Sequence, residues 1–141
     1  MPRILGRTKD HRTHLLKNLS CSMILAERLK TTEAKAKEMR CTLEQWITLA
    51  KRIISTQGAT QLNLRRQLLG EVQDQTVIKK LITDVAKRTQ NRPSGYIRIL
   101  KLGRRLGDAA PRVLVEFVDK PTPVKEKPKI IKKASAETKK A

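Results

Sequence analysis

The strongest periodic signal in the chain runs from Ala36 to Ile54, where Ala36, Met39, Leu43, Trp46, Ile47, Ala50, Ile53 and Ile54 recur at steps of three and four. Residues spaced in this way share one face of a helix, and Arg40, Glu44 and Lys51 fall on the solvated side. Thr32 is placed as the N-cap. Glu33 follows in the first turn, where an acid suits the helix dipole, and pairs with Lys37 four residues on. Gly58 is expected to end this helix.

Three weaker helical patterns flank it. The first is expected to open near Asp10, whose carboxylate can cap free amides, with Leu15, Leu16, Leu19, Met23 and Ala26 along one stripe. His14, Lys17, Asn18 and Cys21 then share a different face, and a short extended piece, Arg28 to Thr31, leads to Thr32. Residues 60 to 70 read as a shorter helix with Leu62, Leu68 and Leu69 inward and Arg65 and Arg66 outward, interrupted by Gly70. After Asp74, Val77, Ile78, Leu81, Ile82 and Val85 form a buried stripe, while Lys79, Lys80, Lys87 and Arg88 leave on the other side.

Asn91 to Gly95 breaks the helical pattern, and from Tyr96 to Leu102 the period becomes two. Tyr96, Arg98, Leu100 and Leu102 alternate with Ile97, Ile99 and Lys101. In Arg112 to Val118, Val113, Val115 and Phe117 alternate with Leu114, Glu116 and Val118. These segments suit antiparallel strands covered by the helices, joined by a connector, Gly103 to Pro111, too long for a tight hairpin. The expected fold is α/β of the α+β kind, with helices packed on one side of a small sheet.

Charge changes the picture. Thirty-two Lys and Arg face 13 Asp and Glu in 141 residues, a formal net charge of +19. Such a field attracts polyanions, so it bears on partners rather than on fold. It is spread over three stretches. Residues 1–18 form a basic N-terminal element, with Arg3, Arg7, Lys9, Arg12 and Lys17 against Asp10. Residues 19–119 form the globular core, basic as well. Residues 120–141 hold eight lysines against Glu126 and Glu137, interspersed with Pro121, Pro123 and Pro128. This last stretch cannot bury enough apolar area to offset its ordering entropy, so a disordered tail is expected.

Trp46, Tyr96 and Phe117 are the only aromatics, too few for the rows of rings on which single-strand binders stack bases. Contact with nucleic acid should therefore run through phosphates and shape. Cys21 and Cys41 have no zinc-knuckle spacing and are expected to be reduced in an intracellular protein. No signal-peptide core and no run of about 18 apolar residues occurs, which argues against a membrane partner.

The candidate binding residues follow from this. The arginines beside Gly6 can approach phosphates closely, so Arg3, Arg7, Lys9, Arg12 and Lys17 are the first group. His11 and His14 lie a helical step apart near Asp10, but no third ligand completes a metal or acid–base site, so they are read as polar or RNA-facing. Arg98, Lys101, Arg104 and Arg105 cluster near one sheet edge, although turn chemistry explains Gly103 and Gly107 equally well. No residue is assigned to catalysis, a metal, a cofactor or a small-molecule substrate.

Four stretches together resemble the large-subunit ribosomal protein family conventionally numbered seventeen in bacteria. They are Leu5-Gly6-Arg7-Thr8-Lys9-Asp10-His11-Arg12 with Leu15 to Leu19; Lys30 to Arg40 with Ile47 to Lys51; Gly95 to Gly103 continued through Arg105 to Pro111; and Val113 to Asp119. The resemblance implies a compact domain with a mixed sheet. It further implies binding to 23S-type ribosomal RNA near the tunnel-exit side of the large subunit and contact with neighbouring ribosomal proteins, without catalysis. By position it assigns Arg7, His11, Arg12, Lys17 and Asn18 to an RNA-embedded N-terminal element, and Tyr96, Arg98 and Lys101 to an RNA-facing strand; Arg92, in the preceding turn, completes the set. The chain departs from the pattern in its short stretch before Gly6, in Ser94 where a second glycine is common, and in its tail, which matches no family motif. The expected location is a ribosome in the cytoplasm, with an organellar ribosome left open.

Two other classes fit parts of the chain. A general nucleic-acid-compacting protein would use the lysine-rich tail, and a nuclease would use Asp10, His11 and His14. The first predicts equal affinity for long duplex DNA and ribosomal RNA; the second predicts RNA cleavage.

Overall fold

The computed structural model describes residues 3–119; the tail expected to be disordered lies outside the described residues. The boundary drawn at residue 18 falls inside the first helix, α1 (Lys9–Ala26). Thr8, not Asp10, holds the N-cap position, and its carbonyl accepts from the Arg12 amide at 3.0 Å. Asp10 lies in the first turn and caps nothing. The buried stripe is also rotated from the expected one. Ser20, Met23 and Ile24 are buried, Leu16 and Leu19 pack partly, and Ala26 is exposed because the helix stops there. Glu27, in the left-handed region at φ 60°, donates its amide to the Met23 carbonyl at 2.8 Å and turns the chain into β1 (Arg28–Thr32).

α2 (Glu33–Ser55) buries Ala36, Met39, Leu43, Trp46, Ile47, Ala50 and Ile53 of the stripe read from its period, and Ile54 packs partly against the core. Thr32 stands at its N-cap but makes no side-chain capping bond. Gly58 opens the next helix rather than closing this one: with φ 74° it is the N-cap of α3 (Ala59–Glu71). α3 carries Gly70 inside its last turn without breaking. It buries only Leu68, whereas Leu62 and Leu69 are 55% and 46% exposed, because α3 lies against α2 along a narrow strip.

Asp74 does cap a helix, accepting from the Thr76 amide at 2.8 Å, and α4 (Gln75–Lys80) follows. It continues through a π-helical turn, Leu81–Val85, into the short α5 (Ala86–Arg88). Val77, Leu81, Val85 and Thr89 are buried at steps of four. In a regular helix such a row drifts around the axis by about 40° per step, and a wider turn takes back part of that drift. Lys79 and Lys87 are exposed as expected, but Lys80 and Arg88 are not simply solvated. Lys80 donates to the Leu25 carbonyl at 2.8 Å, and the Arg88 side chain, 11% exposed, is held between Asp84 and Glu27.

β2 (Ile97–Arg104) and β3 (Pro111–Phe117) pair antiparallel, as expected, and β1 joins the other side of β3 to give the order β1-β3-β2. All pairing among the described strands is antiparallel, so the sheet is not mixed: β3 runs between two neighbours that both oppose it. A bulge between Lys101 and Gly103 shifts the β2 register. Val113, Val115, Phe117 and Ile97 face the helices and join one core with the α2 stripe. The other sheet face carries Arg28 and Lys30, Arg112 and Leu114, and Arg98 and Leu100, with no helix of the described residues over it.

Candidate nucleic-acid interface

The basic residues fall into two populations, those already held by a carboxylate and those with none nearby. Among the described residues, Glu27, Glu33, Glu38, Glu44, Glu71, Asp84, Asp108, Glu116 and Asp119 each form an ion pair. Asp10 and Asp74 do not. The acids thus neutralise particular cations and leave others as the effective positive surface.

The N-terminal candidates are arranged by a tight turn and by α1. Leu5 and Gly6 adopt positive φ, 55° and 63°, and the Arg7 amide donates back to the Ile4 carbonyl at 3.2 Å. A side chain is strained at such φ, which gives Gly6 its place in the turn. Arg7 donates from Nη1 to the Leu5 carbonyl at 3.0 Å, while its Nε is buried without a partner. His11, His14 and Asn18 share the exposed side of α1, and His14 Nδ1 lies 2.8 Å from the Asp10 carbonyl. Among the described residues Lys9 and Arg12 form no ion pair. Lys17 is paired with Glu71 at 3.1 Å, and Arg3 lies 3.8 Å from Glu38.

The strand-region candidates divide. Arg92 grips Asp119 with Nε and Nη2, both at 3.0 Å, which holds the Asp119 carboxyl below its ordinary range. Arg98 is bound by Glu116, and Arg105 by Asp108, whose carboxyl is held far below its usual range chiefly by the Arg105 hydrogen bond. Tyr96 is 2% exposed. Its hydroxyl donates to the Pro93 carbonyl at 2.9 Å and accepts from Lys51 Nζ at 3.2 Å, so the ring is a core group and not a platform for a base. Trp46 and Phe117 are buried too, which leaves no Trp, Tyr or Phe ring exposed. Lys101 and Arg104 are exposed and have no ion-pair partner among the described residues.

The fold brings together residues that are far apart in sequence. Glu33, at the start of α2, feels the charges of both Arg3 and Lys101; with the Lys37 hydrogen bond as the largest cause, its carboxyl lies below its ordinary value. Arg3, Lys101, Lys35 and the strand ends therefore gather at one end of the sheet. Tyr96 lies at the other, about 17 Å from Lys101 by strand length, with Arg92 in the turn before it.

Sequence reasoning missed Lys30, Lys35 and Arg112. They line a cleft of about 500 Å³ with Thr31, Thr32, Leu102 and Arg105. The alternation Arg28, Lys30, Thr32 along β1 was the available signal, since it places cations on one strand face. Among the described residues no group of His, Cys, Asp and Glu can hold a metal, and no helix is long and apolar enough to cross a membrane. Cys21 and Cys41 are free thiols, and burial, followed by the Asp74 charge, pushes the Cys21 thiol up.

Comparison with known proteins finds close relatives over most of the chain. A protein from Syntrophotalea carbinolica named "Large ribosomal subunit protein bL17" is 43% identical over 117 residues, covering 83% of this chain and 71% of the relative. Proteins of the same name from Caldanaerobacter subterraneus subsp. tengcongensis and Staphylococcus haemolyticus are 46% and 43% identical, covering 82% and 83% of this chain and 97% and 98% of theirs. The family profile described as "Ribosomal protein L17" matches residues 15–118, nearly the whole described fold, and the chain belongs to that family.

Proposed function

We propose that the protein is a structural constituent of the large ribosomal subunit that binds 23S-type ribosomal RNA near the tunnel-exit side and bridges RNA segments there, beside neighbouring ribosomal proteins. It acts in the cytoplasm as part of the ribosome and performs no catalysis. The observation that carries this reading is the sorting of cations. With every Trp, Tyr and Phe ring buried, binding rests on Lys9, Arg12, Lys101, Arg104 and the other unpaired cations, which suits recognition of RNA by phosphates and shape. His11, His14 and Asn18 add donors on the exposed side of α1. Association releases counterions, so affinity should fall steeply with salt.

The test is binding of the full chain to a large-subunit ribosomal RNA fragment and to duplex DNA of equal length. The expected result is a clear preference for the RNA fragment, and incorporation of tagged protein into large subunits that withstand a high-salt wash. Equal affinity for the two polymers together with loss from subunits would overturn the reading.

A further inference from the structure

The cleft where β1 runs into α2 shares only Arg105 with the contact set read from the sequence. Three cations converge on it from three elements: Lys30 from β1, Lys35 from the first turn of α2 and Arg112 from the start of β3. Thr32 and Arg112 are direct cross-strand partners and Lys30 stands opposite Leu114, so the sheet register itself holds these groups together. Among the described residues none of the three has an ion-pair partner. The fourth cation of the lining, Arg105, is already neutralised by Asp108. Like charges gathered on one site without an acid repel one another, a cost that an anion removes. The first turn of α2 adds to this: Thr32 leaves the helix amides without a side-chain cap, and the only acid there, Glu33, is held by Lys37 at 2.7 Å.

We infer that this cleft is a phosphate seat that grips the sugar–phosphate backbone of the RNA. The inference rests on the RNA-binding reading above and adds a site to it. Lys30 and Lys35 supply point charges, and Arg112 supplies a fork that can meet two phosphate oxygens. Leu102, 42% exposed, gives the cleft an apolar wall against which a sugar can lie. The seat opens on the uncovered sheet face, and Lys101 and Arg3 gather at the same end of the sheet. A backbone that passes through it thus also meets the unpaired charge of Lys101 on the sheet, beside Arg3 of the N-terminal element, which lies 3.8 Å from Glu38.

The test compares two variants of the full chain that remove equal charge: Lys30→Gln with Lys35→Gln and Arg112→Gln in the cleft, and Arg65→Gln with Arg66→Gln and Lys79→Gln on the α3 and α4 surface. None of the six cations has an ion-pair partner among the described residues, so both variants should unfold like the parent. The probe is the large-subunit RNA fragment, titrated across a salt series. The cleft variant should lower the slope of log affinity against log salt by about 1 or more and weaken binding about tenfold at 0.1 M salt, with the other variant nearer the parent. In parallel, RNA should protect Lys30 and Lys35 from amine acetylation more than Lys79. Equal losses in both variants, or no protection of Lys30 and Lys35, would overturn the seat while leaving RNA binding standing. Failure of the parent chain to prefer the fragment would overturn the underlying reading as well.

Discussion

Arg98 on β2 and Glu116 on β3 stand directly opposite each other in the sheet, and the guanidinium holds the carboxylate through Nε and Nη2. Arg28, opposite Glu116 on β1, approaches the other carboxylate oxygen at 3.7 Å. Glu116 is thereby only 5% exposed on a sheet face that no helix of the described residues covers, enclosed by the two arginines that cross it. The three strands are tied at one level by a single acid.

This arrangement predicts that Arg98 serves stability more than RNA affinity. Arg98→Ala and Glu116→Ala should each lower unfolding free energy by about 1 kcal/mol, the lower range for a pair whose cations remain largely in water. Arg98→Ala should leave RNA affinity nearly unchanged, and Glu116→Ala should raise it by freeing two arginines. Denaturant unfolding and RNA titration of the same samples separate the two effects. A large affinity loss in Arg98→Ala with unchanged stability would refute the assignment.

Tyr96 makes a parallel case. Tyr96→Phe keeps the buried ring but removes the hydrogen bonds to Pro93 and Lys51, so the expected cost is about 1 kcal/mol of stability. RNA affinity should not change, because the ring lies within the core. Thermal unfolding with an accompanying binding curve tests both parts.

These two residues show where the sequence was legible and where it was not. α2 could be read because its apolar positions keep the helical period over the whole element, and β3 because one of its faces is buried. α1 could not be placed in register: Leu15 and Ala26 are as apolar as the residues that pack, and the turn at Glu27 decides which side meets α2 and α4. The antiparallel pairing of β2 and β3 was legible, whereas the insertion of β1 beside β3 was not, since five residues of modest alternation carry no partner information. Charge pairing was the least legible. Arg98 meets Glu116 across 18 positions and Arg92 meets Asp119 across 27, so only the fold reveals which arginines are already neutralised. The Arg105–Asp108 pair, three positions apart, was within reach of local reasoning.

Acid should weaken the junction between α1 and the π turn. Burial pushes the Glu27 carboxyl up, but the Lys80 hydrogen bond and the Arg88 charge and hydrogen bond outweigh it, so the net shift is below the ordinary value of 4.5. A carboxylate lowered on folding contributes stability that is fully present above its unfolded value and is lost as pH falls through the folded one. Stability should therefore be flat above about pH 5 and decline below about 4.5. Glu27→Gln should be less stable at neutral pH and show a shallower acid decline. Unfolding midpoints between pH 3 and 7 for the two proteins provide the check.

The sorting of cations makes a last prediction that total charge alone does not. Lys9→Ala with Arg12→Ala, and Arg92→Ala with Arg105→Ala, each remove two positive charges. Lys9 and Arg12 form no ion pair among the described residues, so their loss removes phosphate-neutralising charge; the salt slope should fall by about 1 to 2, with the fold unaffected. Arg92 and Arg105 are each bound to an aspartate in bidentate fashion, and an RNA phosphate would have to displace Asp119 or Asp108 to use them. Removing them should cost less affinity, lower stability modestly by leaving those aspartates unpaired, and barely change the salt slope. If the two double variants lost affinity and slope equally, pairing within the chain would not select the RNA-facing cations, and net charge would suffice to explain binding.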